Sequence, residues 1–400
     1  QDKPRFDSIG KARGANRLSS KLGILYSGGD PAANFYHDII TAIAAYSANR
    51  IPEIADDLYQ IDDALRAGFG WEVGPFETWD LIGFDKVLAN IEKAGYVVPQ
   101  WILDFKAKGN TTFYKSEYGK RKYYNILKAE YEVIPGTEAF IVLDNFRTPE
   151  PVYTNKEATL HDIGDGVLCL EFHSKMNAIG SGTLAAINKS IDIAETQGWK
   201  GLVIGNDAPN FSAGANLAMM LMLAIEQEFD ELNMAIKYFQ NTVMRLRYSS
   251  IPVVVAPHGL TLGGGCEMTL HADSAIAAAE TYIGLVEAGA GLIPGGGGTK
   301  EFVVRTSDSF YAGDPQLPTL IERFQTIATA KVATSGHEAF EIGVMHHDMD
   351  EVVVNGGRVI TEAKRKVLEL HHDGYVQKPQ RDDILVLGRT ALGALYSGVE

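Results

Sequence analysis

Two kinds of hydrophobic spacing divide the chain. From Asp30 to about Gly109 apolar residues recur every three or four positions, as on helices with one buried face. Asp30-Pro31, a cap residue followed by a first-turn proline, opens a helix that runs to about Asn49. DDLYQIDDALRAGF at 56–69 continues the pattern, and Pro75 follows a glycine as a first-turn proline should. FDKVLANIEKAG at 84–95 ends in a C-cap glycine, and WILDFKAKG closes the region. Residues 30–109 therefore predict a small all-α domain. Residues 1–29, polar and rich in Gly and Ser, read as an extended N-terminal segment. The Tyr-rich FYKSEYGKRKYYN predicts a hairpin about its central YGK rather than part of a core, within a linker over 110–158.

From residue 159 onward continuous Val/Ile/Leu runs alternate with helical stretches: VLCLEF (167–172), a helix near 181–197, LVIGN (202–206), a long helix near 217–247, and PVVVAPHG (252–259). Runs apolar on both faces and separated by helices predict parallel strands covered by helices, an α/β domain over 159–400. Residues 305–330 read as an irregular insertion, and 331–345 and 358–371 as helical.

Composition narrows the function classes. Four hundred residues, 46% hydrophobic and 22% charged, suffice for two or three separately cored domains. The net charge of −15 works against binding nucleic acid or anionic membrane. Two cysteines, Cys169 and Cys266, provide no disulfide framework, which predicts a reducing compartment and a cytoplasmic location. Apolar runs such as LAMMLMLAI at 217–225 fall short of the roughly 18 residues of a spanning helix, and the N-terminus lacks a signal-peptide pattern.

Candidate chemistry gathers in three places. In GLTLGGGCEM (259–268) a buried strand meets three glycines and then a helix, where backbone N–H groups can approach a ligand oxygen and the first amides are unpaired donors. FSAGANL (211–217) is a second small-residue turn between strand and helix, so two converging N–H donors are available, as for a thioester carbonyl becoming an enolate. Glu267 opens the helix after the first turn and Glu287 lies twenty residues on, a pair able to divide acid and base work. The plainer alternatives are close backbone packing for the glycines and a dipole partner for the glutamate.

HSKMNAI, FSAGANL, TLGGGCE and VEAGAGLIPGGGGT, in that order and spacing, resemble the enoyl-CoA hydratase/isomerase (crotonase) superfamily over about 160–345. The resemblance implies a crotonase-type fold of ββα repeats. It also implies an oxyanion hole from the amides of Ala215 and Gly264, with Glu267 and Glu287 as catalytic carboxylates. Ser174, Lys175, Met176 and Ala178, with Ala213, Gly214 and Gly263, would bind the CoA ester, whose adenosine and pantetheine parts meet 174–178 and Ala213. Asn216 departs from the family's usual Asp, and the Met-rich tract 219–234 is unusual; both bear on acyl-chain preference. YSANRIPEIADDLYQIDDALRAGFGWEVGPFETWDLIG at 46–83 resembles the helical C-terminal domain of 3-hydroxyacyl-CoA dehydrogenases. Together these imply the C-terminal part of a bifunctional fatty-acid β-oxidation protein that hydrates 2-trans-enoyl-CoA. Hydration needs no cofactor, coenzyme A being part of the substrate, and NAD would matter only with an additional N-terminal domain. The expected partner is an acyl-CoA thioester, with homo-oligomers open. Alternatives are Δ3,Δ2-enoyl-CoA isomerisation and a non-catalytic acyl-CoA-binding or assembly module.

Other motifs carry less. GSGTLA (180–185) fits a dinucleotide fingerprint but is separated from its strand by HSKMNAI. Cys266 reads as packing rather than as a nucleophile. His258, His271, His371 and His372 lack zinc spacing, so no metal is expected. Lys120, Arg121 and Lys122 read as a solvated hairpin, and Met219, Met220 and Met222 as core filling more than an acyl-chain wall.

Overall fold

The structure is a computed structural model that describes residues 5–15, 17–311 and 313–399. The chain divides into two compact units, residues 1–138 and 139–400.

The first unit is helical until residue 107, then forms a small sheet. The N-terminal segment read as extended is instead two helices, α1 (Asp7–Gly14) and α2 (Leu18–Ser27), while residues 1–4 lie outside the described residues. Polar composition hid them because their anchors are few and long-range. Tyr26 is buried with its hydroxyl 2.8 Å from Thr41 Oγ1, and the Asp30 carboxylate accepts from Ser8 N–H at 2.7 Å and from Ser8 Oγ at 2.9 Å. Asp30 also caps α3 (Pro31–Asn49) through the Ala33 N–H, as the Asp-Pro pair predicts. Then come α4 (Leu58–Phe69), α5 (Pro75–Ile82), α6 (Phe84–Lys93) and α7 (Gln100–Ala107).

The hairpin is present and belongs to a core. Strands β1 (Tyr114–Glu117), β2 (Lys120–Asn125) and β3 (Glu130–Val133) form an antiparallel sheet, with Tyr118 and Gly119, both at positive φ, making a two-residue turn. Tyr123 and Tyr124 are buried in one cluster with Phe84, Phe105 and Phe113. The unit is therefore helices plus a sheet, because the aromatic face of β2 supplies apolar surface to the helices.

In the second unit a seven-stranded sheet runs in the order β13 (Glu351–Val353), β10 (Ser274–Ala278), β8 (Val253–Val255), β7 (Gly201–Ile204), β6 (Val167–Phe172), β5 (Ala158–Asp162), β4 (Tyr153–Thr154). The first five are mutually parallel, as the apolar runs predict, and the last two pair antiparallel. Strict alternation assigns the side chains. Leu168, Leu170, Leu202 and Ile204 enter a core with α8 (Ser181–Thr196), while Val167, Cys169 and Val203 enter another with α15 (Val359–His372). After β8 and again after β10 the chain continues into a second sheet, where β9 (Gly259–Leu262) and β11 (Thr281–Gly284) lie parallel and β12 (Val332–Ala333) antiparallel. This is the expected crotonase-type architecture of ββα repeats.

Three local expectations change. The single long helix is two, α9 (Leu217–Ile225) and α10 (Phe229–Arg247), broken where Gln227 takes φ 59°. The irregular insertion holds two helices, the end of α12 (Gly298–Asp308) and α13 (Leu317–Ala328), the second opened by Pro318. Within 331–345 only α14 (Gly336–Glu341) is helical, after β12. The last helix, α16, spans Gly388–Val399.

Candidate active site

The two glycine-bearing turns lie side by side. Ser212 donates its N–H to Leu260 O and accepts from Leu262 N–H, both at 3.0 Å, so the turn 211–215 runs as a short parallel extension of β9. Gly214 takes φ 91°, and a Cβ there would lie 2.8 Å from Leu262 O and 3.2 Å from Gly264 N. Only glycine permits this approach. Ala215 follows, bridged to Ile179. Gly263, at φ 52°, turns β9 into α11 (Gly264–His271), so Gly264 heads a helix and its N–H lacks an intrahelical acceptor. Ala213, Gly214, Ala215, Gly263 and Gly264 are thus brought together.

The segment 174–178 joins them. Ala213 donates its N–H to Met176 O at 3.2 Å, and Ser212 Oγ donates to Asn177 O at 2.8 Å. Ser174 Oγ closes the loop on Ala178 O at 2.7 Å, while Lys175 and Met176 remain exposed.

Both glutamates come to this place. Glu267, in the first turn of α11, is buried, and its Oε1 accepts from Gly298 N–H at 2.9 Å. Burial pushes its pKa up to about 7, against the pull of the Gly298 amide; the Glu287 charge adds to the rise, and the Gly296 and Gly297 amides add to the pull. Glu287 begins a short 3-10 turn (Glu287–Ala290) after β11, and a Cβ on Gly263 would lie 3.1 Å from its Oε1. Burial raises its pKa as well. Its Oε2 is buried and has no hydrogen-bond partner among the described residues. The Glu287 charge is thus one of the lesser influences on Glu267, and burial is the leading cause for both.

Sequence reasoning left some contributors unassigned. Gly296, Gly297 and Gly298 wrap the Glu267 carboxylate; a Cβ on Gly296 would lie 2.3 Å from Oε2 and 2.4 Å from Phe239 Cε1. Phe239, from α10, also stands 2.8 Å from where a Gly264 Cβ would be, so one ring dries both turns. The run of four glycines was the visible signal for the first; nothing local marks Phe239. Asn216 caps α9 by accepting from Met219 N–H at 3.3 Å. Met219 and Met222 are exposed, so core filling does not hold for them, since α9 turns an apolar face outward. Cys266 is buried and its thiol pKa is pushed well up by burial, consistent with packing. Gly180 and Gly182 of the GSGTLA stretch accommodate the Glu157 carboxylate, which accepts from Thr183 N–H at 2.7 Å.

Known proteins fall in line with this layout. Residues 162–309 match the family described as enoyl-CoA hydratase/isomerase, and residues 41–123 match 3-hydroxyacyl-CoA dehydrogenase, C-terminal domain. A probable 3-hydroxyacyl-CoA dehydrogenase of Bacillus subtilis (strain 168) is 40% identical over 399 residues, 100% of this chain and 50% of that protein. A putative fatty acid oxidation complex trifunctional enzyme of Rickettsia felis is 27% identical over 341 residues, 84% of this chain and 43% of that one. The chain thus spans about half the length of these curated relatives. A crystal structure of an enoyl-CoA hydratase from Polaromonas sp. JS666 is similar with 21% identity and a TM-score of 0.45, over 54% of this chain and 77% of that one. No helix among the described residues is long and apolar enough to cross a membrane.

Proposed function

We propose that this chain, in which residues 162–309 belong to the enoyl-CoA hydratase/isomerase family and follow a 3-hydroxyacyl-CoA dehydrogenase C-terminal domain, hydrates 2-trans-enoyl-CoA to 3-hydroxyacyl-CoA in fatty-acid β-oxidation. The thioester oxygen accepts from the amides of Ala215 and Gly264, which draws electron density from the β-carbon; each such donor is worth about two to three orders of magnitude in rate. Glu267, ionised, takes a proton from water as its oxygen bonds to the β-carbon. Glu287, protonated, delivers a proton to the α-carbon of the resulting enolate. One water is consumed and the pair keeps its single shared proton.

The observation that carries this reading is the pairing of unequal carboxyls beside Gly263. Burial raises the pKa of both, to about 7 for Glu267 against the pull of the glycine amides that its carboxylate accepts from, while Glu287 offers a buried oxygen with no hydrogen-bond partner among the described residues. The dehydrogenase activity in the name of the Bacillus subtilis relative is said of that protein. The test is crotonyl-CoA hydration, followed by loss of the conjugated enoyl absorbance, in the wild type, Glu267→Gln and Glu287→Gln. Turnover in the wild type and its collapse in both variants is expected. Full turnover in both variants removes the mechanism, and a 3-enoyl-CoA shifted to 2-enoyl-CoA with only one carboxylate needed marks an isomerase. Binding of the ester without turnover marks a non-catalytic module.

A further inference from the structure

Behind Glu267 lies a row of polar groups, buried at His271 and Glu301 and half-exposed at Lys300, that has no role in the proposed proton transfers. His271, the last residue of α11, is fully buried, and its Nδ1 lies 2.6 Å from the Glu267 carbonyl oxygen. A carbonyl only accepts, so Nδ1 carries the hydrogen and Nε2 presents a lone pair. Burial drives the imidazole pKa down to about 3, so the ring is neutral and its 3.6 Å approach to Glu301 is not an ion pair. Lys300 Nζ donates to Nε2 at 2.9 Å, to Met244 Sδ at 3.3 Å, and to Glu301, which is paired in turn with Arg247 of α10.

Lys300 and Glu301 stand in the first turn of α12, the helix whose Gly298 amide holds the Glu267 carboxylate. A Cβ on Gly297 would lie 3.0 Å from both Cε1 and Nε2 of His271. The imidazole therefore supports from below the same glycines whose amides contact the carboxylate from above. Amide donors at a helix N-terminus favour the anion, and they do so only while their spacing to it is kept.

We infer that His271 and Lys300 are positioning residues that lock the N-terminus of α12 onto the Glu267 carboxylate and so keep that group available as a base. The inference rests on the base assignment of Glu267 for its catalytic meaning, but not for its geometry. The charged group that acts on Glu267 itself is Glu287, from the turn after β11; those that act on the His271–Lys300 pair are Glu301 and Arg305 from α12 and Arg247 from α10. Lys300 is the tractable one to change, since its side chain is 40% exposed and Arg247 keeps Glu301 paired without it.

Carbon-13 labelling of glutamate carboxyls reads the consequence directly, with the Glu267 resonance identified by its loss in Glu267→Gln. His271→Phe keeps the ring and removes donor and acceptor; Lys300→Met removes the donor; Lys300→Arg restores one. The Glu267 midpoint is expected to rise at least tenfold in proton affinity in His271→Phe, less in Lys300→Met, and to return toward wild type in Lys300→Arg. Crotonyl-CoA hydration should lose kcat chiefly on the acid side of its pH profile, with KM within twofold. An unmoved Glu267 midpoint in folded Lys300→Met and His271→Phe overturns the inference, as does a uniform fall in kcat across pH. A shifted midpoint in a protein whose wild type hydrates no enoyl-CoA supports the clamp while sinking the hydratase reading.

Discussion

Each unit of the molecule buries a carboxyl whose pKa is pushed up to about 7, Asp62 in the first and Glu267 in the second, both chiefly by burial. Their partners differ. Asp62 accepts from the Phe76 N–H at 2.9 Å, the Glu77 N–H at 3.1 Å and the Tyr114 hydroxyl at 2.6 Å, and so caps α5 with its acceptors engaged. Glu267 is held on one side by glycine amides and feels the charge of Glu287, whose Oε1 stands beside Gly263 and whose Oε2 has no hydrogen-bond partner among the described residues. A shifted pKa alone marks burial; what marks chemistry is the capacity left over after the protein's own hydrogen bonds are counted.

The sharpest way to break that comparison is to neutralise each acid in turn. Glu267→Gln and Glu287→Gln are each expected to cut crotonyl-CoA hydration by about two to four orders of magnitude, measured by enoyl absorbance, whereas Asp62→Asn should leave turnover within a factor of about two. Comparable losses from Asp62→Asn would erase the distinction.

Next comes the turn itself. Gly214→Ala, which sets a Cβ 2.8 Å from Leu262 O at φ 91°, is expected to lower kcat by about a hundredfold, the order of one lost oxyanion donor. Wild-type kinetics in that variant would detach the Ala215 amide from catalysis.

The pH response should separate the two acids further. On the proposed mechanism the glutamate pair shares one proton, so activity should fall as pH drops through the lower step, where no base remains, and again as it rises through the upper step, where no acid remains. Glu267→Gln should abolish the bell, and a flat wild-type profile of kcat from pH 5 to 9 would contradict the pair. For Asp62 the linkage concerns stability. Its folded pKa of about 7 stands above the roughly 3.9 of an unfolded aspartate, so its contribution is whole below the unfolded value and is lost as pH rises through about 7. Thermal melts of the first unit's transition should therefore fall across that window and flatten in Asp62→Asn.

The smallest expected effect is that of Phe239→Leu, which keeps an apolar side chain while removing the ring that stands against Gly264 and Gly296. Its replacement should change kcat by no more than about tenfold and lower the Glu267 midpoint, since a wetter carboxyl ionises more easily. A raised midpoint would show that Phe239 does not desolvate this group.

Much of this was legible in the residues. The spacing of apolar positions marked α3 to α7, and uninterrupted Val/Leu runs marked the parallel strands β6, β7 and β8, because such runs are stable only when covered on both faces. Asp30-Pro31 announced a helix start through one local hydrogen bond, and the Gly263–Gly265 and Ser212–Ala215 turns announced themselves through residues that admit close backbone approach. What went unread depended on partners far along the chain. Helices α1 and α2 looked like a polar tail because Tyr26 meets Thr41 and Ser8 meets Asp30; α13 looked irregular beside its prolines and glycines; and the tyrosines of β2 looked solvated because a local pattern does not show which face a sheet will bury.

The order of small turns and glutamates along the chain, a local property of residue types, was set by sequence alone, together with the alternation that makes the second unit α/β. Tertiary structure alone decided that Gly214 packs on the Gly264 amide, that Phe239 from α10 stands against both Gly264 and Gly296, and that His271 and Lys300 meet beneath the glycines holding Glu267. The physical reason is distance along the chain. Backbone conformation and periodicity are read from neighbours, but burial, pKa and the closure of hydrogen bonds are settled by residues that only folding brings within reach.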